Sequence, residues 1–159
     1  MNKVRELEGL KQIIESRKSD GKRIVFANGC FDVLHVGHVR YLQEARALGD
    51  VLVVGLNSDR SVRKLKGEGR PVMDQDSRAT LLCALECVDH IILFEDDTVD
   101  NLLIELKPDF HCKGSDYTQE TVPEKETVKQ YGGTTSITGG KKVQSTRWLF
   151  EEIRRRSSG

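Results

Sequence analysis

Two short runs constrain the fold of this chain more than any other feature. Ile24-Val25-Phe26-Ala27 and Val51-Leu52-Val53-Val54-Gly55-Leu56 carry no polar side chain at any position. A strand of that kind is covered on both faces, which is the condition of a strand inside a parallel sheet. The segments between and after such runs have helical periodicity. Val4, Leu7, Leu10, Ile13 and Ile14 are spaced for one helical face, and Asp20-Gly21 ends that pattern. Val39, Leu42, Ala45, Ala47 and Leu48 form a second stripe that stops at Gly49.

The alternation continues to the end. The pattern predicts helices near 76–86, 98–106 and 123–131, strands at 90–94 and 109–112, a polar strand around 134–138, and a helix from Ser145. Strands alternating with helices predict a doubly wound, Rossmann-like α/β domain with a parallel five-stranded sheet. At 159 residues the whole chain, 1–159, is expected to be one domain, an N-terminal helix within 1–20 followed by a catalytic core over 22–155. The segment 64–72, with two glycines, one proline and three cations, reads as a loop able to close over a ligand.

Composition removes several classes of function. Lysine plus arginine and aspartate plus glutamate number 25 each, so neither nucleic acid nor an anionic membrane is an expected partner. The apolar runs are far too short to span a bilayer. The charged start, Met1 to Leu10, lacks the core of a secretory signal, and a cytoplasmic location with four reduced cysteines is expected. Cys83 and Cys87 read as small core residues. Cys30, His35, His38 and Cys112 match no common four-ligand zinc spacing, and no protein-held metal is expected.

Chemistry concentrates where the first strand ends. Asn28-Gly29-Cys30-Phe31-Asp32 leads into His35-Val36-Gly37-His38 as loop becomes helix. The two imidazoles are three residues apart and can share one side of the first turn, where a helix N-terminus favours anions. Gly37 lets a flat base or a phosphate approach the backbone. In doubly wound sheets ligands bind beyond the carboxyl ends of the strands, and this loop lies there.

These residues resemble the HxGH signature of the cytidylyltransferase-like nucleotidyltransferases. Further segments follow in the order of the heptose 1-phosphate adenylyltransferase branch: Asn57-Ser58-Asp59, the run from Leu65 to Val72, Arg78, the run from Ala84 to Asp89, Lys113-Gly114-Ser115-Asp116-Tyr117 and Ser145-Thr146. The likeness covers about 22–155, and it is to the stand-alone form rather than one fused to a sugar kinase. Arg147 stands where relatives usually carry a second threonine. The resemblance implies transfer of AMP from ATP to D-glycero-D-manno-heptose 1-phosphate, with Mg²⁺ accompanying ATP and a homodimer as the working form.

It also implies roles. His35, His38, Lys66 and Arg78 are the expected catalytic residues, with His38 nearer the α-phosphate and His35 nearer the β,γ side. Asn28, Gly29, Cys30, Phe31, Gly37, His38, Lys113, Gly114, Ser145 and Thr146 are expected to bind the nucleotide, and Lys64, Lys66 and Asp116 the acceptor. Bland readings stand beside several of these. Phe31 is expected to pack beneath its loop, Asp32 to brace it, and Arg70 to anchor a loop or touch phosphate. Arg78 faces phosphate or is a plain surface charge, Ser145 caps a helix or borders an anion site, and Lys113 is a ligand or a solvated turn residue. A sugar phosphate, whose second pKa is ~6, already carries the negative charge needed to attack, so no base is required. The competing readings are a cytidylyltransferase acting on glycerol 3-phosphate and a nucleotide-binding module without catalysis.

Overall fold

The computed structural model describes residues 2–141 and 145–159. Five strands, β1 (Ile24–Gly29), β2 (Val51–Asn57), β3 (His90–Phe94), β4 (Phe110–Lys113) and β5 (Thr134–Ile137), form one parallel sheet in the order β3-β2-β1-β4-β5. The chain winds from β1 to β2 to β3 on one side and then returns to place β4 and β5 on the other. The winding direction therefore reverses between β1 and β4, and the predicted doubly wound class is the observed one. Among the described residues seven helices accompany the strands: α1 (Leu7–Ser19), α2 (Val36–Ala47), α3 (Asp59–Lys66), α4 (Gln75–Cys83), α5 (Asp100–Leu106), α6 (Lys125–Gln130) and α7 (Thr146–Ser157).

The side-chain alternation of each strand splits the core in two. Val25, Ala27, Leu52 and Val54 face Leu42 and Ala45 of α2 and Leu82 of α4. Ile24, Phe26 and Val53 face Leu10 and Ile14 of α1, Leu103 of α5 and Val128 of α6. This two-sided burial is why β1 and β2 carry no polar side chain before Asn28 and Asn57 at their carboxyl ends. Cys83 and Cys87 pack at the margin of the first cluster as free thiols, and Cys112 is buried within it.

Two boundaries differ from those predicted. Val4 is not helical: Lys3 and Arg5 exchange backbone hydrogen bonds with Ile91, 2.9 and 2.8 Å, and Val4 bridges to it in parallel. The first residues thus cover the open edge of β3, where unpaired backbone groups would otherwise be exposed, and α1 begins at Leu7. The supposed loop at 64–72 begins as helix, because α3 extends through Lys66. Its start is capped by the Ser58 hydroxyl, which accepts from the Ser61 N–H at 3.2 Å, a signal visible in Asn57-Ser58-Asp59 but not read as a cap.

Arg78 also departs from expectation. It lies within α4 with its side chain fully buried, facing neither solvent nor the cleft. Its guanidinium donates to the carbonyls of Cys30 (2.7 Å), Asn57 (2.8 Å) and Met73 (3.0 Å), and to the Asp59 carboxylate (2.8 Å). The planar fork satisfies the loop after β1, the end of β2, the first residue of α3 and the segment before α4 at once. Buried charges persist only when so paired, and removing one partner costs about 3–5 kcal/mol. Arg78→Met is accordingly expected to lower the free energy of urea unfolding by that order, and Arg78→Lys to recover less than half of it, since a compact ammonium cannot span four acceptors. Wild-type stability in Arg78→Met would contradict the bracing role.

Candidate active site

At the carboxyl edge of the sheet, where the winding reverses, lies a cleft made of two adjoining cavities. The first, about 360 Å³, lies against the starts of α2 and α7 and is walled by His35, His38, Arg40, Lys66, Arg70 and Arg147. The second, about 520 Å³, lies over the ends of β1 and β4 and is walled by Asn28, Phe94, Val99, Lys113, Tyr117 and Glu124. Both are in the size range of ligand pockets. They share His38, Tyr41, Lys66, Gly114, Asp116 and Thr146, so they form one continuous space.

The histidines are placed by their own backbone. His35 is the N-cap of α2, and its Nδ1 accepts from the Gly37 N–H at 3.1 Å, while His38 Nδ1 accepts from the His35 N–H at 3.2 Å. This reciprocal arrangement is a capping box built from imidazoles. An Nδ1 that accepts carries no proton, so in each neutral ring the proton sits on Nε2. The rings stack with centroids 3.8 Å apart, and the Phe31 ring meets His38 edge-on at 5.3 Å. Phe31 is buried beneath the loop, as expected of it.

The loop that delivers them is held under strain. Phe31 and Val33 adopt left-handed backbone, φ 49° and 56°, a conformation costly for a β-branched residue. Asp32 between them is buried and braces the loop: it accepts from the Val72 and Met73 N–H groups, 2.9 and 3.0 Å, and from Arg70 Nε at 2.9 Å. Burial works against this carboxylate, yet the two backbone donors and the guanidinium outweigh it and hold its pKa below the ordinary value. Arg70 is both anchor and cleft wall, with its guanidinium 5.1 Å from the Phe150 ring centroid.

At the far side Ser145 caps α7 by accepting from the Trp148 N–H at 3.1 Å, and Thr146 donates its hydroxyl to the Asp32 carbonyl at 2.9 Å. The start of α7 is thereby tied to the loop after β1. Of the segment expected before Ser145, Lys142, Val143 and Gln144 lie outside the described residues. Gly114 and Asp116 reach both cavities, and Lys113 lies over the Tyr117 ring at 4.8 Å, in the second. Cys30 lines the second cavity; burial raises its thiol pKa although Lys66 opposes this, so it is not a thiolate nucleophile.

Two predicted site residues are not brought to the cleft. Lys64 pairs with Asp97 at 2.7 Å on the surface, because the helical turn of α3 directs it away from Lys66. Arg78 supports the cleft from beneath, as described. Sequence reasoning missed others: Tyr41, whose hydroxyl donates to the Cys112 carbonyl at 2.6 Å and whose burial raises its pKa, as well as Arg40, Thr138 and Glu124. Only Arg40 gave a sequence signal, as a cation two residues after His38, in the early part of α2.

Asn28 is held from below by His111, fully buried on β4, with Nε2 and Oδ1 2.8 Å apart. The amide oxygen can only accept, so His111 donates, and Asn28 lines the second cavity. Among the described residues His111 Nδ1 is buried without a partner.

A family model described as cytidylyltransferase-like matches residues 26–154. The bifunctional protein HldE of Geobacter metallireducens is 51% identical over 153 residues, 96% of this chain and 31% of that protein. The protein of the same name from Pelobacter propionicus is 49% identical over 157 residues, 99% and 32%. The chain thus spans about a third of the length of these relatives. Among solved structures, a lipopolysaccharide core biosynthesis protein from Thermoplasma volcanium superposes with a TM-score of 0.61 at 36% identity, covering 74% of this chain and 94% of that one. Pantoate-beta-alanine ligase from Francisella tularensis, with a TM-score of 0.59 and 18% identity over 84% of this chain and 65% of its own, shares the fold.

His111 makes stability depend on pH. Burial lowers its pKa from 6.5 to about 3, with Lys113 adding to the effect. A folded-state pKa below the unfolded value means the stabilisation is complete above pH 6.5 and is lost as pH falls toward about 3. His90, lowered by burial and by Arg5, contributes with the same sign. Melting temperatures between pH 7 and about 4.5 are therefore expected to fall less steeply for His111→Gln than for the wild type, while equal slopes would show that His111 is not held neutral in the fold.

Proposed function

The chain belongs to the cytidylyltransferase-like family of nucleotidyltransferases, and on that footing we propose that it transfers AMP from ATP to a sugar 1-phosphate, D-glycero-D-manno-heptose 1-phosphate, releasing pyrophosphate. The observation that carries this reading is the convergence of two helix N-termini and a set of cations on one cavity. The starts of α2 and α7, each helix 12 residues long, meet Arg40, Lys66, Arg70 and Arg147 there, against the single carboxylate of Asp116. Helix N-termini and cations both favour polyanions, and a triphosphate is the polyanion such a family uses. The second cavity, with Asn28 and several carboxylates, then receives the acceptor sugar.

In this reading an oxygen of the sugar phosphate attacks the α-phosphorus of ATP, and the bond from that phosphorus to the β-phosphate bridging oxygen breaks as pyrophosphate departs. The nucleophile is already ionised, so the protein's task is to bring two polyanions together and to stabilise charge on the non-bridging oxygens and on the leaving group. His38 and His35, with protons on Nε2 and Nδ1 committed to the backbone, act as oriented donors to the triphosphate. Lys66 and Arg70, at the junction of the two cavities, offset the repulsion between the substrates. Ser145 and Thr146 complete the cradle at the start of α7.

Among the described residues no cluster of three or more His, Cys, Asp or Glu side chains is gathered to hold a metal. The donor set fits Mg²⁺ that arrives with ATP, held by phosphate oxygens and water, and the ion supplies charge neutralisation on the phosphates. No helix among the described residues is long and apolar enough to cross a membrane. The homodimer in this reading rests on the resemblance alone.

A pyrophosphate-release assay of four nucleoside triphosphates against heptose 1-phosphate, hexose 1-phosphates and glycerol 3-phosphate tests the reading. ATP with the heptose phosphate is expected to give the highest kcat/KM, and His38→Ala to lower kcat by at least ~10²-fold, the loss typical of one preorganised donor, with the fold retained and stability lowered only by the about 0.5–2 kcal/mol of the lost cap to the His35 N–H. Turnover of CTP with glycerol 3-phosphate alone would overturn the substrate assignment. Wild-type kcat in correctly folded His38→Ala would remove His38 from the chemistry.

A further inference from the structure

The second cavity contains one group to which the reading above gives no task. Glu124 is 4% exposed, and its Oε2 is buried with no hydrogen-bond partner among the described residues. It immediately precedes α6, yet its side chain makes no capping hydrogen bond to that helix. It lines the cavity in company with Phe94, Val99, Tyr117 and Pro123, none of which brings a donor to it. A buried polar atom left without a donor is a cost to folding, and a carboxylate more so. Packing alone gives no reason for an acid at this position. A bound molecule that carries its own donors would supply one.

Resting on the assignment of this cavity to the acceptor, we propose that Glu124 is a specificity-determining residue that accepts hydrogen bonds from hydroxyl groups of a polyhydroxylated acceptor. A carboxylate accepts through two oxygens and therefore suits neighbouring hydroxyls of a sugar, whereas a plain alkyl phosphate leaves it unsatisfied. Asn28 lines the same cavity with its oxygen taken by His111, and its remaining polar group, the Nδ2 amide, has the opposite polarity, a donor for hydroxyl oxygens. Discrimination arises from the unsatisfied carboxylate itself: an analogue without hydroxyls must bury it again without a partner, the situation in which polar sites reject analogues most strongly.

The test is calorimetric titration of the full chain and of its Glu124→Gln and Glu124→Ala variants with four ligands: D-glycero-D-manno-heptose 1-phosphate, glycerol 3-phosphate, methyl phosphate and ATP. The wild type is expected to bind the hydroxylated phosphates more tightly than methyl phosphate. Each variant is expected to lose about 10-fold or more in Kd for the hydroxylated ligands, the order of one charge-assisted hydrogen bond, with methyl phosphate and ATP unchanged. Both variants should keep or raise the ligand-free melting temperature, because a buried carboxyl oxygen without a donor is removed. Retention of wild-type affinity for the hydroxylated phosphates would overturn the proposal. So would a uniform loss of every ligand with a lowered melting temperature, which is the behaviour of a structural residue. If glycerol 3-phosphate bound more tightly than the heptose phosphate, and the variants lost its advantage over methyl phosphate, the sugar assigned above would be wrong while the role of Glu124 stood.

Discussion

The cleft depends on one buried cation. Arg78 ties together four pieces of the chain at the base of the cleft: the loop after β1, the end of β2, the start of α3 and the approach to α4. Strand ends leave carbonyls without ladder partners, and at the carboxyl edge of a parallel sheet several such ends meet. A single planar guanidinium satisfies three of these carbonyls and one carboxylate. The charge that sequence reasoning aimed at phosphate is instead consumed in building the surface on which phosphate would lie.

A second carboxylate–guanidinium pair continues that construction outward. Asp32 and Arg70, with the N–H groups of Val72 and Met73, hold the end of the 67–72 loop against the strained backbone of Phe31 and Val33. Thr146 then fastens α7 to the carbonyl of the same Asp32. The two helix N-termini and the imidazole stack are thus positioned by contacts to one short loop. Such rigidity is what electrostatic catalysis requires, since donors that must reorient during reaction contribute far less.

Much of this was legible in the sequence, for definite reasons. All five strands were, because β1 and β2 are apolar up to their carboxyl ends and the others are separated by helical periodicity. The HVGH segment identified the end of β1 as the site, and the likeness to the nucleotidyltransferases agrees with the family match over 26–154. What was hidden depends on tertiary partners. Nothing in the spacing of Arg78 reveals that three carbonyls converge on it. Lys64 and Lys66 differ in fate only because α3 is helical there, which the cap at Ser58 decides. Val4 had helical spacing but was drawn to the open edge of β3. His111 and Glu124, far from the HVGH segment in sequence, join the site only through the return of the chain to β4 and α6.

In the proposed reaction this cleft cleaves ATP between the α- and β-phosphates and transfers the nucleotidyl part to the acceptor. The most direct measurement follows two labels separately in reactions of purified protein with heptose 1-phosphate. With ATP labelled at the α-phosphate, the account predicts that the label appears in the sugar nucleotide; with ATP labelled at the γ-phosphate, that it appears wholly in pyrophosphate. Appearance of the γ-label in the sugar product, or of no label there from either ATP, would contradict it.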